Sequence, residues 1–330
     1  MTPPDRAPER APIGAGFEVP LWHRVAERAI HATAFVAIAS IALIFVFIAK
    51  EALPLLWERD ASGDSGDLWG LLAPRRWPGY AAEAFVWQPV GEPPKLNIVP
   101  LFAGTLKITT LAMLFSVPLG VGAALYVSQY ASRRAREVIK PTLELLASIP
   151  SVVLGFFALM VFASWLQDAF DLALRLNALV AAVGMSLAIV PIVFTISEDS
   201  MRRVPADLAE AATALGARRW QVALRVVVPA ALPGIAASVL LGFGRALGET
   251  MVVLMASGNA AVMDVFDPTS SARTVTATIA AELGEVAVGD PHWRVLFLLG
   301  ALLFAVTFTL NRLSASIVRR LHRRLEGDAP

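Results

Sequence analysis

The sequence contains no cysteine. That excludes disulfides, iron–sulfur clusters and cysteine-held zinc. The four histidines, His23, His31, His292 and His322, are scattered and form no HExxH or other paired ligand set. Charge is scarce. Asp, Glu, Lys and Arg make up 17% of the 330 residues, and they nearly cancel to a formal charge of +1. Soluble domains carry about 25% charged residues, and nucleic-acid binders carry a basic field; neither describes this chain. The four lysines are Lys50, Lys95, Lys107 and Lys140, and none follows a glycine. The GxxxxGK[ST] phosphate loop is therefore missing, so any energy from ATP must come from another chain.

What the sequence has is apolar length: 56% hydrophobic residues and a mean hydropathy of +0.63. A membrane-spanning helix needs roughly 20 apolar residues. Residues 29–49, 108–132, 145–167, 176–197, 226–244 and 295–311 carry no Asp, Glu, Lys or Arg. The fifth run resumes at 251–257, and the sixth continues to Ile317 past Arg312. The expected fold is an all-α membrane protein with six transmembrane helices. The first run exceeds the 7–15 apolar residues of a cleaved signal and reads as a span. Residues 1–28 and 319–330 read as polar tails, and 98–318 as the transmembrane core.

Lys and Arg set the orientation. Residues 1–28, 129–142, 198–225 and 312–324 hold 18 of the 28 basic residues. Both termini are thus expected in the cytoplasm. The opposite loops are acidic: 51–97 holds seven carboxylates and 259–292 holds five. Such loops do not steer an anion, so an anionic cargo would need to be delivered.

Proline falls in or at the start of four consecutive spans, at Pro118, Pro150, Pro191 and Pro233. This favours a moving pathway over a static anchor, since proline frees a carbonyl and kinks its helix. Arg245 and Glu249 lie four residues apart in the fifth span, which puts them on one face of a continuous helix. Each ion at mid-membrane costs roughly 2.5–3.5 kcal/mol. The pair reads either as a buried salt bridge or as a cationic lining in which Glu249 holds Arg245. Lys107 either snorkels to the outer surface or joins that lining. Gly244 and Gly248 form a GxxxG ridge on the adjacent side, suited to close helix packing.

The loop between the fourth and fifth spans is the most specific signal. Pro205 suits a first helical turn, and Asp207 and Glu210 favour its N-terminal end. Leu208, Ala211, Ala212 and Leu215 form an apolar stripe, and Gly216 stops the helix. A short amphipathic helix outside the membrane is expected, and it needs something to dock on.

Glu210-Ala211-Ala212, then three residues, Gly216, nine residues and Val226-x-Val228-Pro229, resembles the EAA signature of ABC importer permeases. Gly104 to Thr110, Ser148 to Phe156, Ile196-Ser-Glu-Asp-Ser, Gly244 to Val253 and Gly258-Asn259 resemble the PstC-type phosphate-specific permeases. The resemblance covers about residues 98–318. It implies an ABC importer type I (MetI-like) bundle in a bacterial inner membrane. Its implied partners are a PstA-type second permease, an ATPase homodimer and a periplasmic phosphate-binding protein. ATP and Mg would bind the ATPase, with no cofactor in this chain. The resemblance implies that Glu210, Ala211, Ala212 and Gly216 couple to the ATPase, and that Arg245 and Glu249 serve transport. A permease for another oxyanion, the sister PstA-type subunit and a stand-alone secondary transporter are the alternatives.

Overall fold

The computed structural model describes residues 21–56, 68–77, 80–91 and 94–326. Most of the expected N-terminal tail, part of the 51–97 loop and the last four residues lie outside them. The chain divides into two units, one ending at Phe47 and one beginning at Ile48. Helix α1 (Leu21–Ala52) supplies the described part of the first unit. Its run from Ile30 to Phe47 exposes Phe35, Ile38, Ile41 and Ile44 on several sides, the pattern of a helix built for an apolar solvent.

The second unit is a helical bundle. A 3₁₀ turn (Leu53–Leu56), α2 (Leu68–Leu72) and the two-stranded hairpin β1 (Trp87–Gln88) and β2 (Lys95–Leu96) precede it. Then come α3 (Val99–Gln129), α4 (Arg133–Ala147), α5 (Ser151–Phe157), a π-helical turn (Ala158–Phe162) and α6 (Ala163–Phe170). Helix α7 (Ala178–Arg202) leads through α8 (Ala206–Ala214) to α9 (Arg219–Val222), a second π-turn (Ala223–Val227) and α10 (Val228–Ala230). Helices α11 (Leu232–Leu247), α12 (Met251–Ala256), α13 (Val275–Glu282) and α14 (Pro291–Glu326) complete the order.

Among the described residues, five helices are long and apolar enough to cross a membrane; α9–α10 with α11, bent by 68°, makes a sixth if counted as one span. The bend falls where Pro229 and Pro233 withhold backbone N–H groups, and the π-turn before it accommodates the missing bond. Helix α7 is the central post. Val180, Met185, Ile189, Val193 and Phe194 are all buried, and α3, α4, α5, α11 and α12 pack around it. Two glycines permit this closeness. A Cβ on Gly120 of α3 would lie 2.8 Å from Val193 Cγ1, and one on Gly184 would lie 2.7 Å from Ala158 Cβ. Both are nearer than real Cβ atoms come, so the helices would have to part.

The structure adds helices where loops were expected. Residues 133–147 form α4, started by Ser132, whose Oγ accepts from Ala135 N. Ile139 and Leu143 pack on the bundle while Arg133, Arg134, Glu137 and Glu144 stay exposed. The third span accordingly starts at Ser151, after Pro150. The second begins at Val99, nine residues before its apolar run, because a partnered Lys107 does not interrupt a helix. Helix α14 runs to Glu326, through most of the expected C-terminal tail.

Candidate functional site

Helix α8 is the short helix expected between the fourth and fifth spans. Pro205 precedes its first turn, and its end is a complete Schellman motif. Gly216 N donates to Thr213 O at 2.9 Å and Ala217 N to Ala212 O at 3.1 Å. Closing both bonds requires Gly216 at φ +88°, where a side chain is strained. The inward face differs from the expected stripe. Ala209, Ala212, Val204 and Ala217 rest on the bundle. Leu208, Ala211 and Leu215 point outward with Glu210, and Leu215 is 90% exposed. Of the apolar stripe only Ala212 faces inward, beside Ala209. The structure therefore leaves the longer apolar side chains on the outer face.

The fifth span breaks where the charges lie. Helix α11 ends at Leu247 and α12 begins at Met251. Glu249 Oε1 accepts from the backbone N–H groups of Thr250 at 3.1 Å, Met251 at 3.2 Å and Val252 at 3.5 Å. Its carbonyl accepts from Thr276 Oγ1 of α13 at 2.8 Å. The carboxylate thus caps the second half-helix, whose first N–H groups lack intrahelical partners. Arg245 stays behind on the last turn of α11, exposed, with no hydrogen bond or ion pair to its guanidinium among the described residues. The expected shared helical face of Arg245 and Glu249 does not form, because the helix stops between them. Nor, among the described residues, does any neighbour press closely on Gly244 or Gly248. A Cβ at Gly244 would lie 3.6 Å from Asn311 Oδ1, and one at Gly248 would touch only its own turn.

Lys107 is placed quite differently. It is 5% exposed. Its ammonium donates to Asp264 O at 2.8 Å and Ser270 Oγ at 2.6 Å. Those groups belong to the 259–274 loop, which also caps α7: Ala178 N donates to Ser270 O and Leu179 N to Pro268 O. Asp267 shapes the turn; the hydroxyl and backbone N–H of Thr269 hold its carboxyl below the usual range. Lys107 ties α3 to that loop.

Two ionic knots were not expected from the sequence. At the α13 end, Glu282 accepts from Arg273 Nη2 at 2.6 Å, His292 Nε2 at 2.8 Å and Trp87 Nε1 at 3.2 Å. This fastens the β1–β2 hairpin to α13 and α14. At the α8 end, fully buried Glu198 of α7 faces Lys140 Nζ at 2.9 Å, with Arg202 and Arg136 farther off. Lys140 also meets Asp199 at 2.7 Å. Burial works against the Lys140 charge, but its bonds to Asp199 and Glu198 outweigh that and raise its pKa above the ordinary lysine value. Two adjacent acid residues closing an apolar run, as in Ile196-Ser-Glu-Asp-Ser, are the sequence sign of this knot.

The family described as the binding-protein-dependent transport system inner membrane component matches residues 116–327, which include α7, α8 and the broken span. This chain belongs to that family. The phosphate transport system permease protein PstC of Mesorhizobium japonicum is 35% identical over 259 residues, 72% of this chain and 77% of that protein. The probable ABC transporter permease protein YqgH of Bacillus subtilis is 34% identical over 222 residues, 67% of this chain and 72% of that protein. Among solved structures, a bacterial ABC transporter involved in import of the acidic polysaccharide alginate superposes with a TM-score of 0.60 at 15% identity. It covers 91% of this chain and 98% of that one. The chain is a permease-type transport subunit and not itself catalytic.

Proposed function

We propose that this chain is the PstC-type permease of an ATP-driven phosphate importer, set in a bacterial inner membrane with both termini in the cytoplasm. It would form half of the translocation pathway beside a PstA-type permease. An ATPase pair carrying ATP and Mg, and a periplasmic phosphate-binding protein, would complete the assembly. The observation that carries this reading is α8: a motif matched at full spacing, folded as a separate helix, with an outward face of Leu208, Ala211 and Leu215 that none of the described residues covers. Exposed apolar side chains on an extramembrane helix call for a protein partner, and the ATPase is that partner in this reading. Phosphate as cargo rests on the PstC relatives.

The mechanism follows from what each group has left to offer. Arg245 sits where a span breaks, and among the described residues none takes up its five N–H donors. A guanidinium binds phosphate oxygens in a two-pronged fashion. Glu249 holds the break by capping α12. Motion of α8 reaches the bundle through Pro205, Val204 and the end of α7. The deciding experiment is uptake of labelled phosphate, sulfate and molybdate by cells with and without the gene. Selective loss of phosphate uptake supports the reading; unchanged phosphate uptake in cells without another importer refutes it.

A further inference from the structure

Glu198 lies on α7 one turn before the segment that leads into α8. Its side chain is fully buried. Buried carboxylate oxygens are nearly always hydrogen-bonded, and Oε2 is, to Lys140 Nζ at 2.9 Å. Oε1 has no hydrogen-bond partner among the described residues. Arg202 Nε stands 3.7 Å from it and Arg136 Nε 3.9 Å, attractive but too long for a bond. The three cations lead to three places. Lys140 and Arg136 belong to α4, and Arg136 is itself bonded to Val127 O and Ser128 O at the end of α3. Arg202 is the last residue of α7, three before Pro205. Beside them is a cavity of ≈ 270 Å³, lined by Pro205, Ala206 and Ala209 from the α8 segment and by Arg136, Met201 and Arg202 from the bundle. The cavity thus reaches Arg136 and Arg202, the two guanidinium groups nearest Glu198 Oε1, from beneath α8. Packed elements switch between discrete arrangements rather than deforming smoothly, and such a place has room for a second arrangement.

We propose that Glu198 is a positioning residue for coupling: when the ATPase drives α8 toward the bundle, the cavity closes and Arg202 moves onto Glu198 Oε1, locking the lead-in of α8 to α3, α4 and α7. This rests on the reading of the chain as an ATP-driven permease. The test uses the whole importer in proteoliposomes, measuring phosphate taken up per ATP hydrolysed, and ATPase with and without phosphate-loaded binding protein. Glu198→Gln keeps the size and the acceptor for Lys140 but removes the charge that draws Arg202. It is expected to assemble with all subunits, to keep its basal ATPase, and to lose about tenfold in both stimulation and uptake per ATP. Arg202→Met, at a half-exposed position, is expected to uncouple in the same way, and Glu198→Asp to recover part of the coupling. Wild-type coupling in Arg202→Met overturns the proposal, including the case where Glu198→Gln fails to assemble. A wild-type complex that moves no phosphate but whose ATPase answers another loaded binding protein refutes the phosphate reading alone. The stimulation ratio still measures the joint.

Discussion

Lys107 and Arg245 are the two cations inside expected spans, and the chain treats them in opposite ways. Lys107 is buried, with its ammonium spent on Asp264 O and Ser270 Oγ. Arg245 is exposed and has no hydrogen-bond or ion-pair partner among the described residues. The same division runs through the molecule. Glu282 is ringed by bonded donors and Glu249 is occupied by three backbone amides, whereas Glu198 keeps one oxygen open and α8 turns its leucines outward. A charge in an apolar medium must be compensated. Where the chain supplies the compensation, the group holds the fold together. Where it does not, the partner has to come from outside, as cargo, subunit or second conformation.

The sharpest break of this comparison is Arg245→Gln. We expect phosphate uptake to fall about 100-fold, the size seen when a charged binding partner is truncated. Thermal unfolding of the detergent-solubilised chain should barely move, because no intrachain bond is lost. A large drop in unfolding temperature would show that Arg245 is structural after all. Lys107→Met is the mirror experiment. It strands the acceptors of the 259–274 loop and should cost about 1.5–3 kcal/mol of stability. Uptake should then decline only as far as folded protein declines. Full stability with abolished uptake would move Lys107 back to the pathway.

The sequence foretold the spans well because long apolar runs between basic loops have few other solutions. It foretold α8 and its stop because proline, acidic residues and glycine each act locally. It did not reveal how those pieces dock. The inward face of α8 is Ala209 and Ala212, beside the cavity that Ala206 and Ala209 line, and the leucines of the stripe stay outside. The break at 248–250 was hidden for another reason. Periodicity carries Arg245 to Glu249 on one face, and only the geometry shows Glu249 folding back onto α12. Helix α4 is hidden in the sequence because its exposed arginines dilute the apolar signal of Ile139 and Leu143.

Gly216→Ala tests the uncommitted side of the comparison on a smaller scale. Open space surrounds the position, so an added methyl meets nothing. The cost is conformational: a left-handed residue other than glycine loses about 1 kcal/mol. The Schellman bonds of Thr213 and Ala212 should loosen and the end of α8 fray. We expect ATPase stimulation by the binding protein to weaken while the subunits still co-purify. Unaltered stimulation would mean that the outward face of α8 does not need a fixed end.

Glu249→Gln carries the smallest expected effect and discriminates most finely. As a cap, Glu249 uses one oxygen as an acceptor, and a glutamine oxygen accepts from the same three N–H groups. Losing the charge weakens the cap by about 0.5 kcal/mol, since charge-assisted bonds are roughly twice as strong as neutral ones. Stability and uptake should therefore both stay close to wild type. If Glu249 instead held or gated Arg245 electrostatically, the neutral substitution would remove that hold and uptake would collapse, with stability unchanged. Parallel uptake curves for Glu249→Gln and wild type place Glu249 with Lys107, among the groups the chain has already satisfied. They leave Arg245 as the charge kept open for the anion.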